Sequence, residues 1–160
     1  MFTFTYKSFY RFVYRYGNLL ITPILLIYMF PALAAFSYKA SQTLYLLSIS
    51  LIIFFVNRLY FRLYRIMPFL IEVDGEKIIC SQFLKKDKKV ILYFSEIIKL
   101  KGGIFYGKSK GLMQIEGENI SIGFFHHITN ANIFITKLLQ NVPAEVYQQI
   151  EPKIKSRLEK

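Results

Sequence analysis

Leu19-Leu-Ile-Thr-Pro-Ile-Leu-Leu-Ile-Tyr-Met-Phe-Pro-Ala-Leu-Ala-Ala-Phe36 is the stretch on which the fold of this chain turns. It lies in a run of 23 residues, between Arg15 and Lys39, that carries no charge. Crossing about 30 Å of hydrocarbon takes about 20 helical residues at ~1.5 Å of rise each, and the run meets that length. Pro23 stands near its start and costs little there, whereas Pro31 falls inside and is expected to kink the helix. A bilayer tolerates such a kink where a neighbouring helix or a Ser/Thr group satisfies the freed carbonyl. A second uncharged run of 18 residues lies between Lys39 and Arg58 and includes Leu44-Tyr-Leu-Leu-Ser-Ile-Ser-Leu-Ile-Ile-Phe-Phe-Val56. It is short for a span, and Arg58 and Arg62 extend it by snorkelling outward. Ser48 and Ser50 are placed to hydrogen-bond across helices.

The flanks give this pair of spans a direction. Lys7, Arg11 and Arg15 precede the first, Arg58, Arg62 and Arg65 follow the second, and the connecting loop holds only Lys39. The positive-inside rule then predicts a multi-pass protein of the inner membrane with both termini cytoplasmic. A cleaved signal peptide fits poorly, because the apolar stretch exceeds a signal core, a second span follows at once and no small-residue cleavage site precedes a soluble domain.

Charge and composition agree with this partition. Hydrophobic residues make up 54% of the 160-residue chain, above the usual share for a soluble domain. Residues 1–68 hold seven basic residues and no acid, whereas residues 69–160 hold 14 basic against 10 acidic, a net +4. Most of the +11 charge therefore belongs to the membrane flanks, where it serves topology and headgroup contact, and nucleic acid is not an expected partner. Lys7, Arg11 and Arg15 fall at i, i+4, i+8 among aromatic residues, and Arg58, Arg62 and Arg65, at i, i+4, i+7, likewise share a helix face on the other side. Such basic, ring-lined stripes suit the headgroup layer, as interfacial anchors or as sites for anionic headgroups or an acidic partner helix.

Pro68 ends the helical stretch and the pattern changes to period two. The alternation predicts strands over Phe69–Val73, Lys77–Phe83, Lys89–Phe94, Glu96–Lys101, Ile104–Tyr106, Leu112–Glu116 and Ile120–Phe124, with Gly- and Asp-rich turns between them. Ile133-Phe-Ile-Thr-Lys-Leu-Leu139 has helical spacing, with Thr129 or Asn130 as its cap, and Ala144–Lys160 reads as a second, charged helix after Pro143. Divided along these lines, the chain has an interfacial amphipathic segment (1–16), a hairpin with an Arg-rich helical extension (17–67), a cytoplasmic domain (69–141) and a charged C-terminal helix (142–160).

Six or seven short strands followed by an amphipathic helix resemble the pleckstrin-homology (PH) barrel, whose C-terminal helix plugs an open end. The residues that carry the resemblance are Ile91-Leu-Tyr-Phe-Ser-Glu-Ile-Ile98 and Phe125-His-His-Ile-Thr-Asn-Ala-Asn-Ile-Phe-Ile-Thr-Lys-Leu-Leu139, and it covers about residues 69–141. It is closest to the bacterial PH-like domains that follow paired transmembrane helices in small membrane proteins. The fold class it implies is an α+β membrane protein, a transmembrane α-hairpin followed by a PH-like β-barrel with a capping helix. What it implies for function is a binding module rather than a chemistry. Eukaryotic PH domains that hold phosphoinositides use basic residues between their first two strands, and the corresponding turn here, Asp74-Gly75-Glu76, is acidic. The basic cluster Lys85, Lys86, Lys88 and Lys89 falls in the next loop, as a lipid contact or as a solvated hairpin tip.

No residues assemble into a catalytic or cofactor motif. Gly102-Gly-Ile-Phe-Tyr-Gly-Lys-Ser109 matches the phosphate-binding G-x-x-x-x-G-K-[ST] pattern, but β-like residues follow where that loop needs a helix. His126 and His127 are adjacent, so they are expected to point apart, and no further His or nearby Cys completes a metal set. Cys80 is the only cysteine, in an apolar strand, which predicts a buried inert thiol in a reducing compartment. The carboxylates are scattered over turns and the last helix, without the apolar flanking that tunes a general acid. The expectation is a non-catalytic scaffold or accessory subunit of a membrane complex, without metal or cofactor, whose partners are an integral membrane protein and anionic lipid headgroups and which is compatible with homo-oligomers. An immunity protein against a membrane-active peptide, and an anionic-lipid-binding module, are the alternatives.

Overall fold

The computed structural model describes every residue except 35–38, 85–87, 109, 159 and 160, and the backbone alone of 156–158. In chain order the elements are β1 (Phe2–Thr5), α1 (Ser8–Ala34), α2 (Ala40–Ile66), β2 (Leu70–Val73), β3 (Lys77–Ser81), β4 (Val90–Tyr93), β5 (Lys99–Lys101), β6 (Met113–Glu116), β7 (Ser121–Phe124), α3 (Ala131–Asn141) and α4 (Ala144–Leu158). They divide into two compact units, residues 12–64 and residues 1–11 with 65–160.

The first unit is built from the two uncharged runs. Each forms part of a 27-residue helix, about 40 Å long at ~1.5 Å per residue. Helix α1 is continuous through both Pro23 and Pro31. Within the most apolar stretch of α1 only 6% is buried, and of α2 only 11%, so most of these side chains are exposed or half-covered. Polar contacts help tie the helices together. Asn18 Nδ2 donates to Asn57 Oδ1 at 3.0 Å, Thr22 Oγ1 to Asn18 Oδ1 at 2.9 Å, and Asn57 Nδ2 to Thr22 Oγ1 at 3.3 Å, a closed ring of three side chains. Two tyrosines add to it: Tyr60 donates to the Val13 carbonyl at 3.3 Å and Tyr64 to that of Arg15 at 3.2 Å. Gly17 makes the first of these possible, because a Cβ there would collide with the Tyr60 hydroxyl.

The second unit is a pair of antiparallel sheets with helices at its C-terminal end. One sheet has the order β1-β2-β3-β4 and the other β5-β6-β7. Period-two burial organises β2 to β5, where Ile71, Val73, Ile78, Cys80, Leu92 and Leu100 are buried and their neighbours along each strand are exposed or half-covered, whereas Met113–Ile115 of β6 and Ile122–Phe124 of β7 are buried without interruption. Helix α3 supplies Phe134 and Leu138, four residues apart and therefore on one face, to the same core. There Phe134 meets Phe4 at 5.1 Å and Phe124 at 4.8 Å, and Phe124 meets Phe105 at 6.4 Å, in tilted and edge-on geometries that aromatic rings favour.

Three expectations from the sequence are corrected. Residues 1–16 are not one interfacial segment, since Phe2–Thr5 is a strand paired with β2 in the register Phe2↔Val73 to Thr5↔Leu70. The hairpin is therefore an excursion between two paired strands. Ile104–Tyr106 is not a strand but part of a 3-10 turn, Gly103–Tyr106, which closes on Gly107 in the left-handed conformation. Gly102 opens the turn at φ +72°, and a Cβ there would strike the Leu112 carbonyl oxygen.

The third correction concerns the barrel. On one side the sheets are joined: the Thr5 N–H donates to Thr129 Oγ1 at 3.0 Å, the Thr129 N–H to the Thr5 carbonyl at 2.8 Å, and Tyr6 bridges Ile128. On the other side, no ladder among the described residues connects β4 to β5. After Tyr93 the chain winds through a 3-10 turn, Phe94–Glu96, held because the Phe94 N–H reaches the Glu76 carbonyl at 3.0 Å and its ring is buried. The Glu96 carboxylate accepts the Tyr93 N–H at 3.3 Å and caps that turn. These bonds stop β4 before it can pair with β5, and the two sheets remain open there.

Candidate functional site

The basic residues singled out from the sequence divide between the two units. Lys7, Arg11, Arg65, Lys88 and Lys89 belong to the sheet unit, whereas Arg15, Arg58 and Arg62 belong to the hairpin; Lys85 and Lys86 lie outside the described residues. In the sheet unit two of them lie over aromatic rings, and the backbone of a third holds one of the two. Arg11 donates from Nη2 to Gln82 Oε1 at 2.9 Å, with its guanidinium carbon 5.9 Å from the centre of the buried Phe69 ring. Lys88 donates from Nζ to the Arg65 carbonyl at 2.7 Å and stands 4.6 Å over the buried Phe83 ring. These cation–ring distances are those at which the quadrupole of the ring attracts the charge. Lys7, Lys89 and the Arg65 side chain are exposed. In the hairpin, Arg58 and Arg62 are exposed on α2, and Arg15 lies 5.8 Å over Tyr16.

This cluster sits at the ends of β1 and β2 from which the chain departs into α1 and returns from α2. The described ion pairs lie elsewhere, Lys101–Glu116 at 2.6 Å and Lys155–Glu151 at 2.8 Å. The acidic turn Asp74-Gly75-Glu76 joins the second and third strands rather than the first two, because β1 precedes the hairpin. What lies between the first two strands is basic at both ends, with Lys7 and Arg11 on one side and Arg65 on the other. Sequence reading missed Gln82, Phe69 and Phe83 as the residues that hold Arg11 and Lys88. Gln82 is a non-glycine residue at φ +56°, a local conformation that no sequence pattern announces.

The remaining candidates have local accounts. The histidine rings do not diverge: His126 and His127 are 3.8 Å apart, and Tyr10 stacks on His127 at 4.2 Å with 22° between planes. They lie after β7 in a turn, so the alternation of a strand does not apply to them. Burial, with His126 and Lys110 beside it, holds the His127 imidazole below its ordinary pKa. Groups of three or more His, Cys, Asp or Glu able to hold a metal are absent among the described residues. Burial pushes the Cys80 thiol far above its usual range, which suppresses the thiolate that reactivity needs. In the phosphate-loop look-alike, the amides of Phe105, Gly107 and Lys108 donate to the carbonyls of Gly102, Ile104 and Gly103 at 3.0 to 3.1 Å. Those donors are committed within the loop, and a phosphate would find them turned inward. Ser109 lies outside the described residues.

No family model, curated protein or solved structure matches this chain.

Proposed function

We propose that this chain is a non-catalytic, membrane-anchored binding subunit, with a transmembrane hairpin that packs against partner helices and a PH-like domain that docks partners at the cytoplasmic face of the inner membrane. The observation that carries this reading is the pair of 27-residue apolar helices whose most apolar stretches are only 6% and 11% buried. Apolar surface on that scale is unstable in water and is satisfied by lipid or by other helices. The polar ring of Asn18, Thr22 and Asn57 supports the same reading, since side chains that satisfy one another are what a hairpin in hydrocarbon requires. Orientation follows from the acid-free, basic flanks at the ends of the hairpin. Purification in mild detergent is expected to recover a complex with a second membrane protein. A monodisperse monomer with no partner by mass spectrometry would defeat the reading.

A second reading is favoured by the cluster of Arg11, Arg65 and Lys88, which collects cations where the chain enters and leaves the hairpin. In this reading the cluster, with Lys7 and Lys89 beside it, contacts anionic headgroups of the inner leaflet, each cation near the surface contributing about 1 kcal/mol. Vesicle binding by the sheet unit that rises with anionic lipid content, and falls when Arg11 and Lys88 are changed to Gln, is the expected outcome. Binding indifferent to lipid charge would sink it.

A further inference from the structure

Two motifs that stand apart in the sequence meet at one pocket of the sheet unit, the glycine-rich loop that opens at Gly102 and the His126–His127 pair. The pocket has a volume of about 190 Å³ and is bordered by Gly103, Lys110 and Gly111 of the loop, by His126, and by Ala131 and Asn132 at the start of α3. At about 30 Å³ of liquid per water, that is room for a phosphate group. Gly103 and Gly111 stand at φ +47° and +132°, where a side chain is strained, so this wall is bare backbone. The pocket lies wholly within the sheet unit, and the inference drawn from it stands apart from the role of the hairpin.

The electrostatics of the pocket have one sign. Among the described residues no carboxylate borders it, Lys110 is exposed, and the ion pairs lie elsewhere. His126 Nδ1 is buried without a hydrogen-bond partner. A proton on that nitrogen would be an unsatisfied buried donor, which places the ring N–H on Nε2 instead. The charged groups that act on the neighbouring His127, namely His126 and Lys110, are both basic. Helix α3 adds to the same sign. Asn130 precedes it in the left-handed conformation at φ +53°, and its side chain caps none of the first-turn amides. Such amides carry partial positive charge. Water serves a helix end that stands alone; here a lysine without an ion pair and an imidazole N–H border the same space.

We propose that this pocket binds the phosphate group of a phosphomonoester, held by the Lys110 ammonium, the His126 Nε2–H and the first-turn amides of α3. The loop amides of Phe105, Gly107 and Lys108 take no part, since they are bonded within the loop. The site is therefore unlike a nucleotide-binding loop, in which backbone amides of the loop itself cradle the phosphates. A small soluble phosphate and the headgroup of phosphatidic acid present the same chemistry, and the test below separates them.

The full chain in dodecyl maltoside micelles, which carry no phosphate, is isotope-labelled at its two histidines and followed by NMR in a phosphate-free buffer. Inorganic phosphate should shift the ring signals saturably and raise the His127 midpoint, because a bound anion favours the imidazolium. Sodium chloride at matched ionic strength should do neither. Lys110→Gln is expected to weaken phosphate binding about tenfold, the loss of one charge-assisted contact. Asn132→Asp separates binding from folding. A carboxylate in the first turn favours the helix, so thermal stability is kept or raised while phosphate binding is lost. Dihexanoyl phosphatidic acid in the same micelles reads the source. A response to it at concentrations at least about tenfold below those of inorganic phosphate assigns the site to a lipid headgroup, and an equal or weaker response assigns it to a soluble phosphate. The proposal is overturned if neither phosphate compound shifts the rings, if chloride reproduces the shift, or if Lys110→Gln and Asn132→Asp bind phosphate as the unaltered chain does.

Discussion

Phe4 is 2% exposed and packs at a tilt against Phe134. Its truncation removes a ring from a core in which Phe124 and Phe105 continue the same contact. Phe4→Ala should therefore cost about 3–5 kcal/mol of domain stability by chemical denaturation, and a loss below about 1 kcal/mol would show that β1 is dispensable. His127 makes a second statement at this scale. Its folded pKa is depressed, so between that value and the ordinary one near 6.5 the unfolded chain binds more protons than the folded one. The stability it contributes is complete above about pH 6.5 and is lost as pH falls toward the folded value. Proton NMR should find the His127 ring titrating below 6.5, and Lys110→Gln should move the midpoint upward. A midpoint at or above 6.5 would refute the assignment.

At the scale of elements, the pairing of β1 with β2 makes the sheet unit discontinuous in sequence. A fragment of residues 69–160 lacks β1 and leaves Ile71 and Val73 on an outer strand paired only with β3. Such a fragment should be markedly less stable than one with Phe2-Thr-Phe-Thr-Tyr6 joined ahead of it, measured by thermal unfolding; equal melting would contradict the register. The hairpin has its own weak point in Asn57, which bonds Thr22 and accepts from Asn18. Asn57→Leu should destabilise the helix pair by about 1–2 kcal/mol, the range for a hydrogen bond between helices in a membrane. Helix–helix cross-linking between cysteines on α1 and α2 in native membranes reads this loss, and unchanged cross-linking would deny the ring a structural role.

For the whole molecule, the division of charge is the property with consequences. Six of the seven basic residues in 1–68 lie on the outer flanks of the helix pair, with no acid among them, and only Lys39 lies between the helices, which is the basis of the orientation proposed above. Cysteine accessibility in intact cells should therefore find Lys39→Cys labelled from outside, and Lys7→Cys and Lys89→Cys protected until the membrane is opened. Labelling of Lys7→Cys from outside would reverse the orientation and move the sheet unit to the other face.

Much of this was legible along the chain. The two long apolar helices, six of the strands and both C-terminal helices follow from local periodicity, which depends only on neighbours three, four or two residues away. The basic side chains of the candidate site were legible for the same reason, as positions in a helical stripe. β1 was legible in principle, in the alternation of Phe2-Thr-Phe-Thr-Tyr6, but the i, i+4 spacing of Lys7, Arg11 and Arg15 that follows it suggested one continuous segment. Tertiary structure alone decided that β1 pairs across the hairpin with β2, and that Gln82 and Phe83 receive Arg11 and Lys88. It also decided that the Phe94–Glu96 turn leaves the sheets apart. Each of these rests on contacts between residues distant in sequence or on a single unusual backbone angle, and neither leaves a periodic trace in the chain.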